Sequence, residues 1–208
     1  MKWQGMWRMS LLIVTLLTPS VYMRTAAEAH EIWGSGGCAH LSAGLYATNY
    51  AAPPEGAMQV NSKLISPGGE FPKRETCDGQ NTSPQLAWSG TPPATRSFAL
   101  ILDDPDAPGG TFTHWMVWNI PAGTQELPEN LAKTAELANG ARQGRNDFGK
   151  VGYGGPCPPP GKPHRYFFRL YALDNAPAVK AGAGREELER ALQGHILGRG
   201  ELMGRYAR

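Results

Sequence analysis

One residue in five of this chain is glycine or proline, with 26 Gly and 18 Pro among 208 residues. Proline lacks an amide donor and clashes inside a helix, and glycine loses the most backbone entropy on ordering. That density excludes a helical bundle and leaves short strands joined by many turns as the expected architecture. Hydrophobic residues at 41% suffice for a core, and charged residues at 18% are too few for a disordered or coiled-coil chain. The length suits one domain or two small ones.

The formal charge of +2 is unevenly placed. Residues 1–29 carry Lys2, Arg8 and Arg24 against the single acid Glu28, so the rest of the chain is formally neutral. A general basic field for nucleic acid is therefore disfavoured. Lys2 and Arg8 precede a short apolar run containing Leu11, Leu12, Ile13, Val14, Leu16 and Leu17, which ends at Pro19. Ala27-Glu28-Ala29 supplies a small-x-small cleavage pattern, so residues 1–29 read as a signal peptide and the mature chain as periplasmic or secreted. The apolar run is about ten residues, short of the roughly 20 that a membrane span needs, and an uncleaved anchor is the alternative.

Export permits disulfides, and the chain has three cysteines, Cys38, Cys77 and Cys157. At least one lacks an intrachain partner. Cys77 and Cys157 both sit in motif-bearing loops and are the first candidates for a pair, with three unpaired thiols the open alternative. There is no CxxC and so no redox or zinc-ribbon signature.

Residues 30–57 read as a loosely packed extension. His30, the residue after the cleavage pattern, and His40 read as a coincidence of the cleavage site rather than a copper site. From Met58 the pattern turns β-like, giving a domain over 58–208. Strands are expected at Met58–Ser62, Gln85–Trp88, Ser97–Asp103, Phe112–Ile120 and Tyr166–Leu173. Pro105, Pro108, Gly109 and Gly110 mark a hairpin-type connection between the third and fourth. Leu188, Ala191, Leu192, His195 and Ile196 have helical spacing, and Glu201–Tyr206 suggests a short final turn. One mostly β domain with a peripheral C-terminal helix is the economical reading.

There is no GxSxG elbow and no HExxH. Gly144–Lys150 (GRNDFGK) superficially resembles a phosphate loop, but Val151 stands where a magnesium-binding hydroxyl belongs and no apolar strand precedes it. Two other segments stand out: Asp104-Pro105-Asp106-Ala107-Pro108 followed by His114-Trp115, and Gly152–Gly161 (GYGGPCPPPG) followed by His164-Arg165-Tyr166. Each sets a stiff Gly/Pro loop beside a His near an aromatic-rich strand. Together they can form an anion pocket, with His114 and His164 as side-chain donors and the Gly155 region adding backbone donors. A carboxylate at Asp104 or Asp106 would fix a His tautomer or accept from a ligand amine. Phe112, Trp115 and Tyr166 would wall it. The bland reading is a turn-capping Asp-Pro-Asp and two structural histidines.

The segments DDPDAPGGTFTHW and GYGGPCPPPGKPHRYFFRLYALD resemble the phosphatidylethanolamine-binding protein family, most closely its bacterial Raf-kinase-inhibitor-like YbhB/YbcL branch. Residues Thr76–Pro84, Gln85–Trp88 and Gly194–Leu197 support the resemblance, which runs from about Met58 to Arg208. It implies a β-sandwich-like fold and a small pocket for phosphate-type anions, including phospholipid headgroups. Carried over by motif, the pocket residues are Asp104, His114, His164 and Gly155-Pro156, with Asp106, Pro108 and Tyr166 at or beside it. Thr113 stands where some animal members have a further His, so one donor is missing here.

The function expected is that of an exported, non-enzymatic binding protein without a cofactor. An inhibitor or regulator acting through its surface on a protease or kinase-like partner is the alternative, and a homodimer is left open. A third class, a hydrolase or zinc enzyme using Asp104, His114 and His164, fits the residue types but not the Pro-rich loop. If the export reading holds, mass spectrometry of the mature protein finds His30 as its first residue. An intact Met1–Ala29 segment on the exported protein contradicts it.

Overall fold

The structure, a computed structural model, describes residues 57–208. The expected signal peptide, the expected extension up to residue 56, Cys38, His30 and His40 lie outside the described residues. Eight strands and one helix follow in order: β1 (Ala57–Asn61), β2 (Leu86–Ser89), β3 (Ser97–Asp104), β4 (Phe112–Pro121), β5 (Glu126–Leu127), β6 (Arg142–Gln143), β7 (His164–Leu173), α1 (Arg185–Leu192) and β8 (Ile196–Tyr206). The strands form one curled sheet in the order β5-β2-β1-β8-β7-β3-β4-β6. The fold is mostly β, as composition requires. Among the described residues no helix is long and apolar enough to cross a membrane.

Alternation along the central strands divides the core in two. Phe98, Leu100 and Leu102 of β3 join Trp115, Val117, Tyr166, Phe168 and Leu170 on one face. Ala99 and Ile101 join Met116 and Trp118 on the other, where Leu188 and Leu192 of α1 cover them. Both faces of β3 are therefore buried, which explains its unbroken apolar run. Asp103 follows Ile101 onto the helix side. There it accepts from Arg169 Nε (3.3 Å) and from Nη2 of Arg185 (3.0 Å), the first residue of α1. This buried carboxylate ties the helix to the sheet.

Two sequence expectations are corrected at the C-terminal end. Helical spacing carried the helix through His195 and Ile196, but α1 stops at Leu192. Gly194 follows with φ +80°, a left-handed conformation that ends the run, and His195 pairs with Asp174 (2.8 Å). Glu201–Tyr206 is not a turn. It belongs to β8, which runs antiparallel to β7 and parallel to β1 in the middle of the sheet. The strand went unread because Gly198, Gly200 and Gly204 depress strand propensity. Packing requires two of them directly, since a Cβ at Gly204 would lie 2.6 Å from the Phe71 ring and one at Gly200 2.7 Å from the Met58 carbonyl oxygen.

Cys77 and Cys157 form a disulfide that closes a separation of 80 residues. It joins the loop after the 3₁₀ turn Lys73–Glu75 to the Pro-rich loop before β7. In the chain-entropy picture a loop of that length stabilises the fold by about 4–5 kcal/mol. Denaturant unfolding with and without reductant is expected to show a loss of that order on reduction. The Cys77→Ser variant should match the reduced wild type and be indifferent to reductant.

Candidate functional site

A register shift shapes the centre of the site. Along β3 and β4, Leu102 pairs with Trp115 but Asp103 pairs with Thr113, so His114 is the extra residue of a β-bulge. Bulges re-aim side chains. Here the shift sets His114 among three aromatic rings, with centroids 5.0 Å from Phe112, 5.3 Å from Phe148 and 5.2 Å from Tyr166.

The imidazole is then locked by a reciprocal pair of bonds. His114 Nδ1–H donates to the Gly154 carbonyl (2.7 Å), and the Gly154 N–H donates to the His114 carbonyl (2.9 Å). A carbonyl can only accept, so Nδ1 carries the proton and Nε2 is left as the variable nitrogen. Burial pushes the His114 pKa below its ordinary value, against smaller opposing effects of the Gly154 bond and Asp104. His114 is thus neutral near pH 7, with a lone pair at Nε2.

His164 opens β7, and its Nδ1 lies 2.8 Å from Asp104 Oδ2 at the end of β3. Asp104 is buried, and its Oδ1 accepts from the Asp106 N–H (2.8 Å), so one carboxylate orients both the histidine and the following turn. Tyr166, two residues beyond His164, is fully buried, and its hydroxyl lies near the Asp104 carboxylate and the Cys157 backbone without a hydrogen bond of normal geometry to either. Burial, then the nearby Asp104 charge, pushes its pKa up, so it stays a proton donor.

Asp104, His114, His164 and Tyr166 therefore come together. The remaining expected residues play other parts. Asp106 accepts from Arg165 at its backbone N–H (2.9 Å), Nε (2.8 Å) and Nη2 (2.6 Å). Those bonds hold its pKa down at about 2, so it stays an anion that anchors the start of β7. Together with His164 it lines a cleft of about 530 Å³. Pro108 is exposed at the tip of the β3–β4 connection. Pro156 is buried, and its carbonyl accepts from the Cys77 N–H (3.1 Å).

The backbone-donor role expected of the Gly155 region is corrected. The Gly154 N–H is engaged with His114, the Gly155 N–H donates to Asn81 Oδ1 (2.6 Å), and Pro156 has none. Gly155 is needed for close approach instead, since a Cβ there would lie 2.1 Å from the Glu75 carbonyl oxygen. The phosphate-loop look-alike likewise has its amides engaged. Asn146 Oδ1 accepts from Phe148 N and Lys150 N, both at 3.1 Å, and Asn146 Nδ2 donates to the Gly152 carbonyl (2.9 Å).

Sequence reasoning missed Phe148, Asn81 and Asn146. Asn81 carried one signal, a non-glycine φ of +57°, but that is visible only in the folded backbone. Phe148 had none, because it packs against β4, whereas Asn146 bonds only within its own loop, to Phe148, Lys150 and Gly152, as turn asparagines do.

With this geometry in place, comparison with known proteins is decisive. A family model described as phosphatidylethanolamine-binding protein matches residues 61–207. The chain belongs to the phosphatidylethanolamine-binding protein family. A UPF0098 protein of Methanothermobacter thermautotrophicus is 48% identical over 151 residues, which cover 73% of this chain and 99% of that protein. Among solved structures, Escherichia coli YbcL is 39% identical with a TM-score of 0.69, covering 73% of this chain and 98% of YbcL. The phosphatidylethanolamine-binding protein homologue CT736 of Chlamydia trachomatis is 38% identical with a TM-score of 0.67, covering 74% and 99%. The family's domain thus coincides with the described sheet and its cluster of Asp104, the two histidines and Tyr166.

Gly155→Ala is expected to cost roughly 1–3 kcal/mol by overpacking against the Glu75 carbonyl. The His114 ring resonances should shift as the loop moves. Calorimetry together with imidazole NMR checks both, and an unchanged melting temperature contradicts the close-approach role.

Proposed function

We propose that this chain is an exported binding protein whose site takes phosphate-type anions, free or as phospholipid headgroups, without turning them over. The observation that carries the reading is the convergence of Tyr166, His164 and His114. A buried hydroxyl without a partner costs about 1–3 kcal/mol, a cost that a ligand oxygen would remove. Both histidines have Nδ1 committed inside the protein, which leaves Nε2 of each for a ligand. No nucleophile with an adjacent base and a third orienting group is built from these residues, which supports binding rather than turnover. The disulfide supports an oxidising compartment.

Proton linkage follows from the neutral state of His114. The dianion of a phosphomonoester carries no P–OH and needs a donor, so Nε2 must take up a proton as it binds. A monoanion brings its own P–OH, which can donate to the Nε2 lone pair. Both routes favour low pH. Affinity should fall as pH rises from about 6 to 8, since a phosphate monoester loses its second proton near the bottom of that window and burial already disfavours the protonated form of His114.

Calorimetric titration with inorganic phosphate and phosphoethanolamine tests the reading. His114→Ala and His164→Ala are each expected to weaken binding about tenfold to hundredfold, the value of one charge-assisted hydrogen bond. Tyr166→Phe should weaken binding without lowering the melting temperature, because it removes an unpartnered group. Equal affinities in all four proteins, or tighter binding at pH 8 than at pH 6, contradict the assignment.

A further inference from the structure

A second cleft, of about 760 Å³, is lined by Gly154 and Gly155 together with Phe148 and Lys150. Phe148 is 43% exposed although it is a large apolar ring. Its inner side packs on Phe112 (4.7 Å) and His114 (5.3 Å), so it forms the partition between the candidate anion site and the cleft. A Cβ on Gly154 would lie 2.7 Å from the Phe148 ring, so the ring sits directly on the glycine backbone.

Two lysines face this cleft. Lys133 Nζ donates to the Asn81 carbonyl (2.9 Å) and lies 5.9 Å from the Tyr153 ring centroid. Lys150 comes from the loop folded around Asn146. Neither forms a salt bridge among the described residues. Burial, and then the charge of Lys150, lowers the Lys133 pKa, so the two cations oppose each other rather than a carboxylate. The acids nearest Lys133 in sequence pair with arginines, Glu129 with Arg74 and Glu136 with Arg142 (3.8 Å), and two further acids near the cleft-lining segments are also engaged. Asp147 accepts from the Thr113 N–H (2.6 Å), and Asp78 takes the Tyr206 hydroxyl and the Arg208 guanidinium. The cleft thus combines unmatched positive charge with an apolar ring that reaches back to His114.

We infer that the cleft is a second subsite for the same ligand, and that the site prefers phosphomonoesters whose body crosses Phe148 and ends in a second anionic group held by Lys133 and Lys150. This inference rests on the phosphate reading of the His114–His164–Tyr166 cluster. Phe148 contacts the body of the ligand, and the lysines read its far charge. A bare headgroup fills only the first subsite.

The matched probes are inorganic phosphate, phenyl phosphate and 4-carboxyphenyl phosphate, titrated at low salt into the full mature protein. The carboxylated ester is expected to bind about twofold to fivefold tighter than phenyl phosphate, the gain of one partly screened ion pair. Lys133→Gln, which keeps the stem against Tyr153, combined with Lys150→Ala should abolish that difference and leave phosphate affinity unchanged. Phe148→Ala should weaken both aryl esters by a larger factor than it weakens phosphate, whose own change reports the loss of the ring beside His114. Equal affinity for the two esters in wild type, or a difference that survives the double variant, overturns the second subsite while phosphate binding stands. If wild type fails to bind phosphate itself, the first site falls and the second with it.

Discussion

The site depends on how two loops without regular hydrogen bonding are held against each other. The segment Glu75–Asn81 and the segment Tyr153–Cys157 are joined at four points. Tyr153 Oη–H donates to the Glu75 carbonyl (2.7 Å), Gly155 N–H to Asn81 Oδ1, Cys77 N–H to the Pro156 carbonyl, and the disulfide closes the set. Glycine at 155 lets the two backbones meet at that distance. Gly154 then reaches His114 with both its N–H and its carbonyl, so the position of an imidazole on β4 is set by a seam between two distant loops. Removing one seam bond loosens the others, because stiff Pro-rich backbone cannot re-form its own hydrogen bonds.

Adjacent acids on β3 show how pleat decides role. Asp103 and Asp104 are one residue apart and point to opposite faces. Asp103 meets Arg169 and Arg185 and fixes the helix. Asp104 meets His164 and fixes the candidate site. The same carboxylate chemistry is structural on one side and orienting on the other. The sequence DD alone does not tell which is which, but the register does.

The apolar runs SFALILD and FTHWMVWNI were legible as strands because burial on both faces leaves little room for polar residues, and YFFRLYAL, whose second face is only half-buried, because its aromatics favour a strand. The family and the set Asp104, His114, His164 and Tyr166 were legible from two long motifs in order. Three things were not. β8 is held by pairing to β1 and β7, and its glycines hide it from propensity. The helix spacing ran past Gly194, whose left-handed backbone outweighs the periodicity. The amides of Gly154 and Gly155 looked available because nothing local shows that Asn81 and His114 take them.

The position of β8 has a consequence for how this domain is assembled. It is the last described strand in the chain, yet it lies between β1 and β7. Without it the sheet is two fragments, β5-β2-β1 and β7-β3-β4-β6, each with a bare edge offering unpaired backbone groups. The order of synthesis therefore leaves the keystone until late, and contacts that span most of the domain form together when it arrives. Until that strand inserts, the edges of β1 and β7 are open to other chains, so the interval before closure is when this protein is most exposed to misassembly.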